Sequence, residues 1–257
     1  MRRLIEFSCA GETMIGTLDE ARGTTGLLIV SGGNELRMGA HRGMAMLAQR
    51  LAAAGVPVFR FDRRGIGDST GENGGFAESA EDITAAVAAL KAAAPHVTRV
   101  AGFGNCDAAS ALALFHARAG LDTLVLANPW LREEADELPP TAAIRSRYLE
   151  RLRDPQQWLR LLRGGVDFRK LFLGLSKLVG SRSQPADPLA ERVIAAVCAA
   201  RPVVLLARGD ATAQAFDAAA KSTAGELITY ADTDSHSFAR GGDQDWLYDK
   251  ILAAVRK

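Results

Sequence analysis

The stretch Arg99-Val-Ala-Gly-Phe-Gly-Asn-Cys-Asp-Ala-Ala-Ser110 predicts a strand that turns sharply into a helix. Gly104 and Ala108 lie on either side of Cys106, and small residues at these positions let a strand and a helix meet in a tight, strained turn. Such a turn places the central side chain at the N-terminus of the helix, whose partial positive charge favours a thiolate over a thiol. Cys106 is therefore a candidate nucleophile.

Length and composition favour one large domain. The 257 residues are 48% hydrophobic, which is enough to bury a single core without a second domain. The net charge of +1 gives no general attraction to nucleic acid, and the Lys and Arg residues lack the interleaved aromatic residues of a base-stacking surface. We therefore expect no nucleic-acid partner.

The N-terminus and the cysteines indicate a cytoplasmic protein. Glu6 interrupts the first short apolar stretch, which therefore does not resemble a signal peptide, and no apolar run reaches the roughly 18 residues of a transmembrane helix. Cys9, Cys106 and Cys198 lie far apart and form no CxxC pair, so neither a zinc site nor a disulfide framework is indicated. We expect reduced thiols, no metal and no cofactor.

The order of the segments predicts an α/β fold with a mostly parallel central sheet flanked by helices. Residues 3–18 read as two antiparallel strands around the turn Ala10-Gly11-Glu12. Short, continuous apolar runs then alternate with segments of helical spacing, as in sheets that are buried on both faces. The predicted strands are Leu27–Val30, Val56–Phe61, Val97–Phe103, Leu121–Ala127, Val203–Ala207 and Leu227–Tyr230, and the predicted helices are His41–Ala54, Ala80–Ala93, Ala108–Ala119, Ala190–Ala199, Ala213–Ser222 and Asp245–Val255.

Residues 129–187 interrupt this alternation and predict a helical cap inserted into a core formed by residues 1–128 and 188–257. The insertion has helix-like pieces at 142–153, 155–163 and 168–178 and no strand candidate. Residues 141–182 contain ten Lys or Arg against three Asp or Glu, beside many leucines and aromatic residues. Such a surface suits an acyl chain with an anionic group, an acidic acyl carrier or a peripheral membrane contact. The alternative interpretation, with about even weight, is that the leucines only pack the cap onto the core and the arginines form a solvated face.

His236 is the candidate base among the four histidines. It lies in the polar loop Ala231-Asp-Thr-Asp-Ser-His-Ser-Phe238 after the last predicted strand, where this fold brings its base over the nucleophile. His96 and His116 lie in or beside predicted helices, and His41 opens one. A surface or helix-end role suits these three better.

Asp210 is the candidate acid that orients His236. It follows the predicted strand Val203–Ala207 by a short turn, which keeps the chain order nucleophile, acid, histidine. Asp210 also precedes a predicted helix and is a good N-cap, and the two roles are compatible. Asp232 and Asp234 are the alternatives, although their nearness to His236 suits shaping of the loop better.

Acyl transfer needs hydrogen-bond donors for the oxyanion, and two backbone N–H groups are candidates. One belongs to Asp107, directly after the nucleophile, and the other to Asn34 in the loop Val30-Ser-Gly-Gly-Asn-Glu35. Glycines in that loop let the backbone approach a substrate, although they also suit an ordinary turn. We predict further substrate contacts from Gly33, Glu35 and Trp130, and from Trp158 and Phe172 in the cap.

Asp107 itself is a poor candidate nucleophile. If Asp107 attacked, the small flanking positions would fall on Asn105 and Ala109, and neither is glycine. Its carboxylate opposes the formation of a neighbouring Cys106 thiolate, whereas the helix N-terminus favours a negative charge there. These two effects act in opposite directions and leave Cys106 as the better choice.

The segment Asp62-Arg-Arg-Gly-Ile-Gly-Asp-Ser69 resembles the Asp-x-Arg-Gly-x-Gly-x-Ser loop of many α/β-hydrolases. It satisfies neither of the glycine-rich nucleotide-binding patterns, so no nucleotide is indicated. With Asn34, Cys106, Asp210 and His236 in their strand-end loops, the chain resembles the α/β-hydrolase superfamily from about residue 3 to its end. The resemblance implies an α/β-hydrolase fold and a Cys-His-Asp triad.

Three short motifs are most similar to the bacterial exosortase A system-associated hydrolase 1 family. They are Gly-Asn-Cys-Asp-Ala-Ala-Ser, Arg-Gly-Asp-Ala-Thr-Ala-Gln-Ala-Phe and Asp-Ser-His-Ser-Phe. This family is encoded beside exopolysaccharide and protein-sorting genes, so the resemblance implies a context and not a substrate. The cysteine at the elbow is also similar to dienelactone hydrolases, whose nucleophile is helped by a glutamate. Glu35 is the candidate for the helping glutamate. Dienelactone hydrolases are compact, however, and the long predicted cap of this chain differs from them.

These patterns together predict a hydrolase of carboxylic esters or thioesters that works through an acyl-cysteine intermediate. An acyltransferase uses the same triad and is an alternative. A non-catalytic protein that binds an acyl group or a carrier on a hydrolase scaffold is a second one. Substrate, acyl length and oligomeric state are not determined by the sequence.

Overall fold

The structure is a computed structural model, and it describes residues 1–132 and 188–257. Within them, eight strands form one sheet in the order β1-β2-β4-β3-β5-β6-β7-β8. Strands β1 and β2 form an antiparallel hairpin, β2 pairs antiparallel with β4, and the other neighbours are parallel. The strands are β1 (Arg2–Cys9), β2 (Glu12–Asp19), β3 (Thr25–Val30), β4 (Val58–Phe61), β5 (Arg99–Asn105), β6 (Thr123–Ala127), β7 (Val203–Ala207) and β8 (Ile228–Ala231).

Helices cover both faces of the sheet, as the sequence pattern predicts. Those of the described residues are α1 (Gly43–Ala53), α2 (Ala80–Ala93), α3 (Asp107–Ala119), α4 (Pro188–Ala200), α5 (Ala211–Ala224) and α6 (Asp243–Val255). Short 3-10 turns lie at Ala40–Arg42, Phe76–Glu78 and Gly225–Leu227. Parallel neighbours in a sheet need a long crossover connection, which is usually a helix.

The core consists of two apolar layers, one on each face of the sheet. Alternation along β3 divides its side chains between them, so that Leu28 and Val30 face one layer and Leu27 and Ile29 face the other. Helices α2, α3, α4 and α5 cover the first layer, and α1 and α6 cover the second. Because both faces are covered, the strands are continuous apolar runs.

The main departures from the predicted elements lie at their ends. The strand predicted from Val56 begins at Val58, after a turn in which Gly55 has φ +96°. The helix predicted from His41 begins at Gly43, because His41 and Arg42 take left-handed backbone conformations in a 3-10 turn. These residues carry no sequence signal for a positive φ, and the prediction was wrong there.

The loop between Asp62 and Ser69 braces the sheet beside the ends of β3 and β4. Asp62 is fully buried and accepts hydrogen bonds from the backbone N–H of Arg37 at 2.6 Å and from its guanidinium. Ser69 donates to the carbonyl of Asp62 at 2.7 Å and accepts from Ile15 N–H on β2 at 3.0 Å. This loop therefore joins the strand ends to the loop that follows β3.

The predicted cap lies almost wholly outside the described residues, as do its helix-like pieces, so the division at residues 129 and 187 stays a prediction. Strand β6 ends at Ala127, and α4 begins at Pro188. Among the described helices, none is long and apolar enough to cross a membrane.

Candidate active site

The elbow after β5 has the strained geometry that its sequence predicts. Cys106 has φ 62° and ψ −129°, and α3 begins at the next residue. A Cβ on Gly104 would lie 2.8 Å from the carbonyl carbon and oxygen of Ala108, so only glycine fits where the strand meets the helix. The N–H of Cys106 donates to the carbonyl of Ala127 at 3.0 Å, which ties the elbow to the end of β6.

His236 and Asp210 meet at the carboxyl ends of β7 and β8. The two side chains form a hydrogen bond of 3.0 Å between Nδ1 of His236 and Oδ1 of Asp210. The other oxygen of Asp210 accepts the N–H of Ala213 at 2.8 Å and caps α5. One carboxylate thus fills both positions that the sequence predicts for it.

The imidazole of His236 also lies close enough to Cys106 for the two side chains to interact. Burial favours the neutral imidazole, but the hydrogen bonds to Asp210 and Cys106 and the negative charges of both groups outweigh it. The pKa of His236 consequently rises from 6.5 to about 10. Cys106, His236 and Asp210 therefore form a continuous chain of contacts.

Two asparagines that the sequence analysis did not select hold the backbone of the His236 loop. The side-chain amides of Asn105 and Asn128 both donate to the carbonyl of His236, at 3.1 and 3.0 Å. Asn128 is fully buried, donates to Oδ1 of Asn105 and accepts the N–H of Ala207. Each asparagine lies at the end of one of two adjacent parallel strands, and that placement was the available signal.

The loop after β3 packs against the elbow. A Cβ on Gly32 would lie 2.7 Å from the carbonyl oxygen of Asn105 and 3.5 Å from the Cβ of Cys106. This close approach requires glycine at position 32 and brings the following residues beside the candidate nucleophile.

Backbone N–H groups of Asn34 and Asp107 are free of acceptors among residues 1–132 and 188–257. The side chain of Asn34 is engaged elsewhere, because its Oδ1 accepts from Asn73 at 2.9 Å. Gly33, predicted to contact substrate, donates its N–H to Oδ1 of Asp107 at 2.7 Å. That N–H is therefore engaged within the loop, and a contact between Gly33 and substrate stays a prediction.

Glu35 lies close enough to the site for the charges there to affect its pKa. Loss of hydration raises the pKa of Glu35, and repulsion from Asp107 acts in the same direction, while His236 and the N–H of Ala40 oppose it. Trp130 is half-buried at the elbow, where its backbone N–H donates to the carbonyl of Cys106 at 3.2 Å. Trp158 and Phe172 lie outside the described residues.

The remaining cysteines have different surroundings. Cys9 is buried beside Asp82, and burial together with that carboxylate raises the pKa of its thiol from 9.0 to about 11. Cys198 lies on α4 with its sulfur 3.8 Å from the carbonyl of Thr223. In the described part of the chain, no three His, Cys, Asp or Glu residues are grouped closely enough to hold a metal ion.

The alternative partners of His236 are engaged elsewhere or exposed. Asp234 pairs with Arg240, and Asp232 is exposed. His96 contacts the carbonyl of Ala21, far along the chain from the elbow.

The family model described as serine aminopeptidase, S33, matches residues 26–237. The chain belongs to this family. Its fold is accordingly that of the α/β-hydrolases, and the protein is a hydrolase of that superfamily. A search of curated protein sequences finds no match.

Solved structures share the fold of this S33-family chain at low sequence identity. DcsB, in complex with its substrate analogue, is 17% identical with a TM-score of 0.64, over 100% of this chain and 99% of DcsB. Esterase Pf2001 of Pyrococcus furiosus is 17% identical with a TM-score of 0.62, over 100% and 90% of the two chains. Haloalkane dehalogenase DatA of Agrobacterium tumefaciens is 14% identical with a TM-score of 0.63, over 99% and 96%.

The S33 description names a serine enzyme, whereas this chain has Cys106 at the elbow. A thiol in place of a hydroxyl alters what the base must do, since a thiolate forms far more readily than an alkoxide. The chemistry of the site therefore depends on how His236 and Cys106 share a proton.

Proposed function

We propose that this protein hydrolyses carboxylic esters or thioesters through an acyl-cysteine intermediate. The observation that carries the proposal is the position of His236, whose imidazole is hydrogen-bonded to Asp210 and also interacts with Cys106. Cys106 lies at the strained turn between β5 and α3 of an S33-family fold. A nucleophile, a base and a group that orients the base are thus in contact.

In the first half of the reaction, the thiolate of Cys106 attacks the carbonyl carbon of the substrate. The carbonyl oxygen becomes an oxyanion, which accepts hydrogen bonds from the N–H groups of Asn34 and Asp107. The bond to the leaving group breaks as the oxyanion collapses, and His236 gives its proton to the leaving alcohol or thiol. The product of this half is a thioester on Cys106.

In the second half, neutral His236 takes a proton from water as the water oxygen attacks the thioester carbonyl. The same two N–H groups hold the second oxyanion. Its collapse breaks the bond to Cys106 and releases the carboxylic acid, and the proton returns to the pair formed by His236 and the thiolate. Asp210 holds the imidazole in one orientation throughout.

The raised pKa of His236 supports a thiol nucleophile. With a pKa of about 10, the imidazole is protonated at neutral pH, which suits an imidazolium paired with a Cys106 thiolate. A serine at this position would not supply that negative charge, so part of the raised pKa of His236 comes from the cysteine itself.

Attack by Asp107, in the manner of a carboxylate nucleophile, is disfavoured by its contacts. Its Oδ1 accepts the N–H of Gly33 at 2.7 Å, and its Oδ2 lies 3.7 Å from the buried guanidinium of Arg63. A carboxylate held in this way faces the loop and not an incoming substrate. The likeness to a haloalkane dehalogenase is therefore one of fold alone.

The narrower hydrolase family, the partner and the cellular location form part of the same proposal. The three motifs quoted above support membership of the exosortase A system-associated hydrolases and hence a substrate connected with exopolysaccharide or protein sorting. An acidic acyl carrier or a membrane surface as partner rests on residues 141–182, outside the described residues. We place the reaction in the cytoplasm.

The test is the intact mass of the protein after brief incubation with p-nitrophenyl esters of several acyl lengths. We expect the parent to gain one acyl group and release p-nitrophenol, and we expect Cys106→Ala to do neither. His236→Ala should slow both steps and prolong any adduct that forms. The acyl length that reacts fastest defines the substrate class.

Cys198→Ala is the matched control, because it removes a partly exposed cysteine remote from the elbow, and it should react like the parent. Release of acid into water supports hydrolysis, whereas transfer of the acyl group to an added alcohol would assign an acyltransferase. No adduct and no p-nitrophenol with any ester would contradict the proposal, and tight acyl binding that survives Cys106→Ala would then favour a binding protein.

A further inference from the structure

Arg63 is a buried cation that joins the two backbone segments on which the proposed oxyanion donors lie. It follows Asp62 directly after β4, and only 3% of the residue is exposed. Its Nη2 donates to the carbonyl of Gly33 and lies 3.7 Å from Oδ2 of Asp107. Its Nη1 has no acceptor among the described residues, so these contacts are the ones that compensate the buried charge.

Gly33 is fixed on both sides by this arrangement. Its N–H donates to Oδ1 of Asp107 at 2.7 Å, and its carbonyl accepts from Arg63. Gly33 has φ +53°, a conformation that a residue with a side chain rarely adopts. The peptide planes before and after Gly33 are therefore both held by the same pair of charged side chains.

The orientation of the Asn34 N–H follows from that geometry. The peptide between Gly33 and Asn34 is trans, so its carbonyl and its N–H point in opposite directions. Because the carbonyl points to the buried guanidinium of Arg63, the N–H points away from it, toward the exposed side of a loop that packs on Cys106. In the proposed reaction, the substrate carbonyl would approach this N–H from the exposed side of the loop.

We propose that Arg63 is a positioning residue that sets the oxyanion-binding peptide of Asn34, acting through Gly33 and Asp107. It touches neither substrate nor reacting atoms. Its contact with Asp107 adds a second effect, because the guanidinium compensates a carboxylate that lies next to Cys106. The inference rests on the proposed function, since it assigns a task in acyl transfer to that site.

Two reactions of Cys106 distinguish an effect of Arg63 on the oxyanion-binding peptide from an effect of Arg63 on the amount of Cys106 thiolate. Acylation by a p-nitrophenyl ester forms an oxyanion, whereas alkylation by iodoacetamide needs the thiolate alone. A change in the thiolate population affects both rates equally, so the ratio of acylation to alkylation isolates the effect on the oxyanion site. Removal of a direct oxyanion donor lowers kcat by about 10²- to 10³-fold, and we expect loss of the positioning residue to have a smaller effect.

We expect Arg63→Met to lower the ratio of acylation to alkylation by about 10- to 100-fold, mainly through kcat, with KM changed less than about threefold. Arg63→Lys keeps the charge and one donor, and it should recover part of the ratio. Arg64→Met is the matched control: Arg64 is the next residue, but it pairs with Asp82 and does not touch Gly33. Its ratio should equal that of the parent.

The outcomes distinguish this inference from the proposed function. A parent protein that reacts with iodoacetamide but not with any ester overturns both. A parent that is acylated, beside an Arg63→Met protein with an unchanged ratio, overturns the role of Arg63 alone. If Arg63→Met does not fold, as judged by thermal unfolding, Arg63→Lys is compared with the parent instead. A ratio of acylation to alkylation in Arg63→Lys that equals the ratio in the parent overturns the inference.

Discussion

On the Cys106 side of the site, backbone conformation and glycine contacts hold the chain, whereas on the His236 side a few side-chain hydrogen bonds do so. Cys106 has a positive φ and is fixed because Gly104 leaves no room for a methyl group. His236 is held by Asp210 through its imidazole and by Asn105 and Asn128 through its carbonyl.

The difference implies that the nucleophile and the base respond to different kinds of substitution. Steric changes in the elbow affect folding, because the strained turn is possible only in the packed structure. Changes of charge near His236 affect proton transfer, because the same hydrogen bonds that orient the imidazole also raise its pKa.

The largest effect is expected from Asp210→Asn. The amide keeps an oxygen to cap α5 but has no negative charge for the imidazolium, so kcat should fall by about 10²-fold or more. Thermal unfolding should change little, since Asn and Asp are comparable N-caps. Ester turnover and a melting curve measure the two quantities.

Asp232→Asn is the control for this prediction, because it removes an exposed carboxylate from the loop of His236 and should leave kcat close to that of the parent. If Asp232→Asn lost the activity and Asp210→Asn kept it, the assignment of Asp210 as the orienting acid would be wrong.

A smaller effect, on folding, is expected from Gly104→Ala. The added methyl group would lie 2.8 Å from backbone atoms of Ala108, which must shift, and the free energy of unfolding should fall by about 1–3 kcal/mol. Denaturant titration measures this loss. In Gly225→Ala the nearest atom lies 3.9 Å from the new methyl group, so stability should stay the same or rise slightly. Equal losses in both variants would remove the steric argument for the elbow.

The smallest effect concerns the pH dependence of stability. The pKa of His236 is about 10 in the folded protein against 6.5 for an unperturbed histidine, so the folded state holds a proton on the imidazole between these values. Below about pH 8.5 an unfolded chain keeps a proton on a cysteine thiol instead, so an imidazolium paired with a Cys106 thiolate gives the folded state no extra proton there. The stability of the parent should therefore be nearly flat from about pH 7 to 8.5 and should fall as the pH rises further toward 10, and denaturant titration across this range measures both parts.

Cys106→Ser should lower the pKa of His236, since a hydroxyl does not supply the negative charge of a thiolate. Cys198→Ser should leave the pKa of His236 as it is in the parent. Titration of the His236 ring protons by NMR gives the pKa directly. A pKa of His236 near 6.5 in the parent would count against the paired imidazolium and thiolate.

The sequence was sufficient to predict the alternating strands and helices, because buried parallel strands are continuous apolar runs. The small residues on either side of Cys106 predicted the turn after β5, and the order of the strand-end loops predicted that Asp210 and His236 would lie close together. The catalytic roles of these residues stay predictions.

Other contacts were not predictable, because they depend on where side chains from distant loops meet. Arg63 was part of a recognised motif, yet nothing in that motif indicates a contact with Gly33 or Asp107. The left-handed backbone of His41 was likewise not predicted, and the sequence pattern instead placed His41 at the start of a helix.

The contact between Trp130 and the elbow gives the protein an optical reporter of its own. The backbone N–H of Trp130 donates to the carbonyl of Cys106, and Ser110 on α3 donates to the carbonyl of Trp130, so the main chain that carries the indole is held on the residue that we propose is acylated. The indole N–H itself donates to the carbonyl of Arg132 at 2.5 Å. A shift of the Cys106 peptide on acylation should therefore move the backbone of a half-buried tryptophan and change its fluorescence, which gives a signal without a chromogenic substrate.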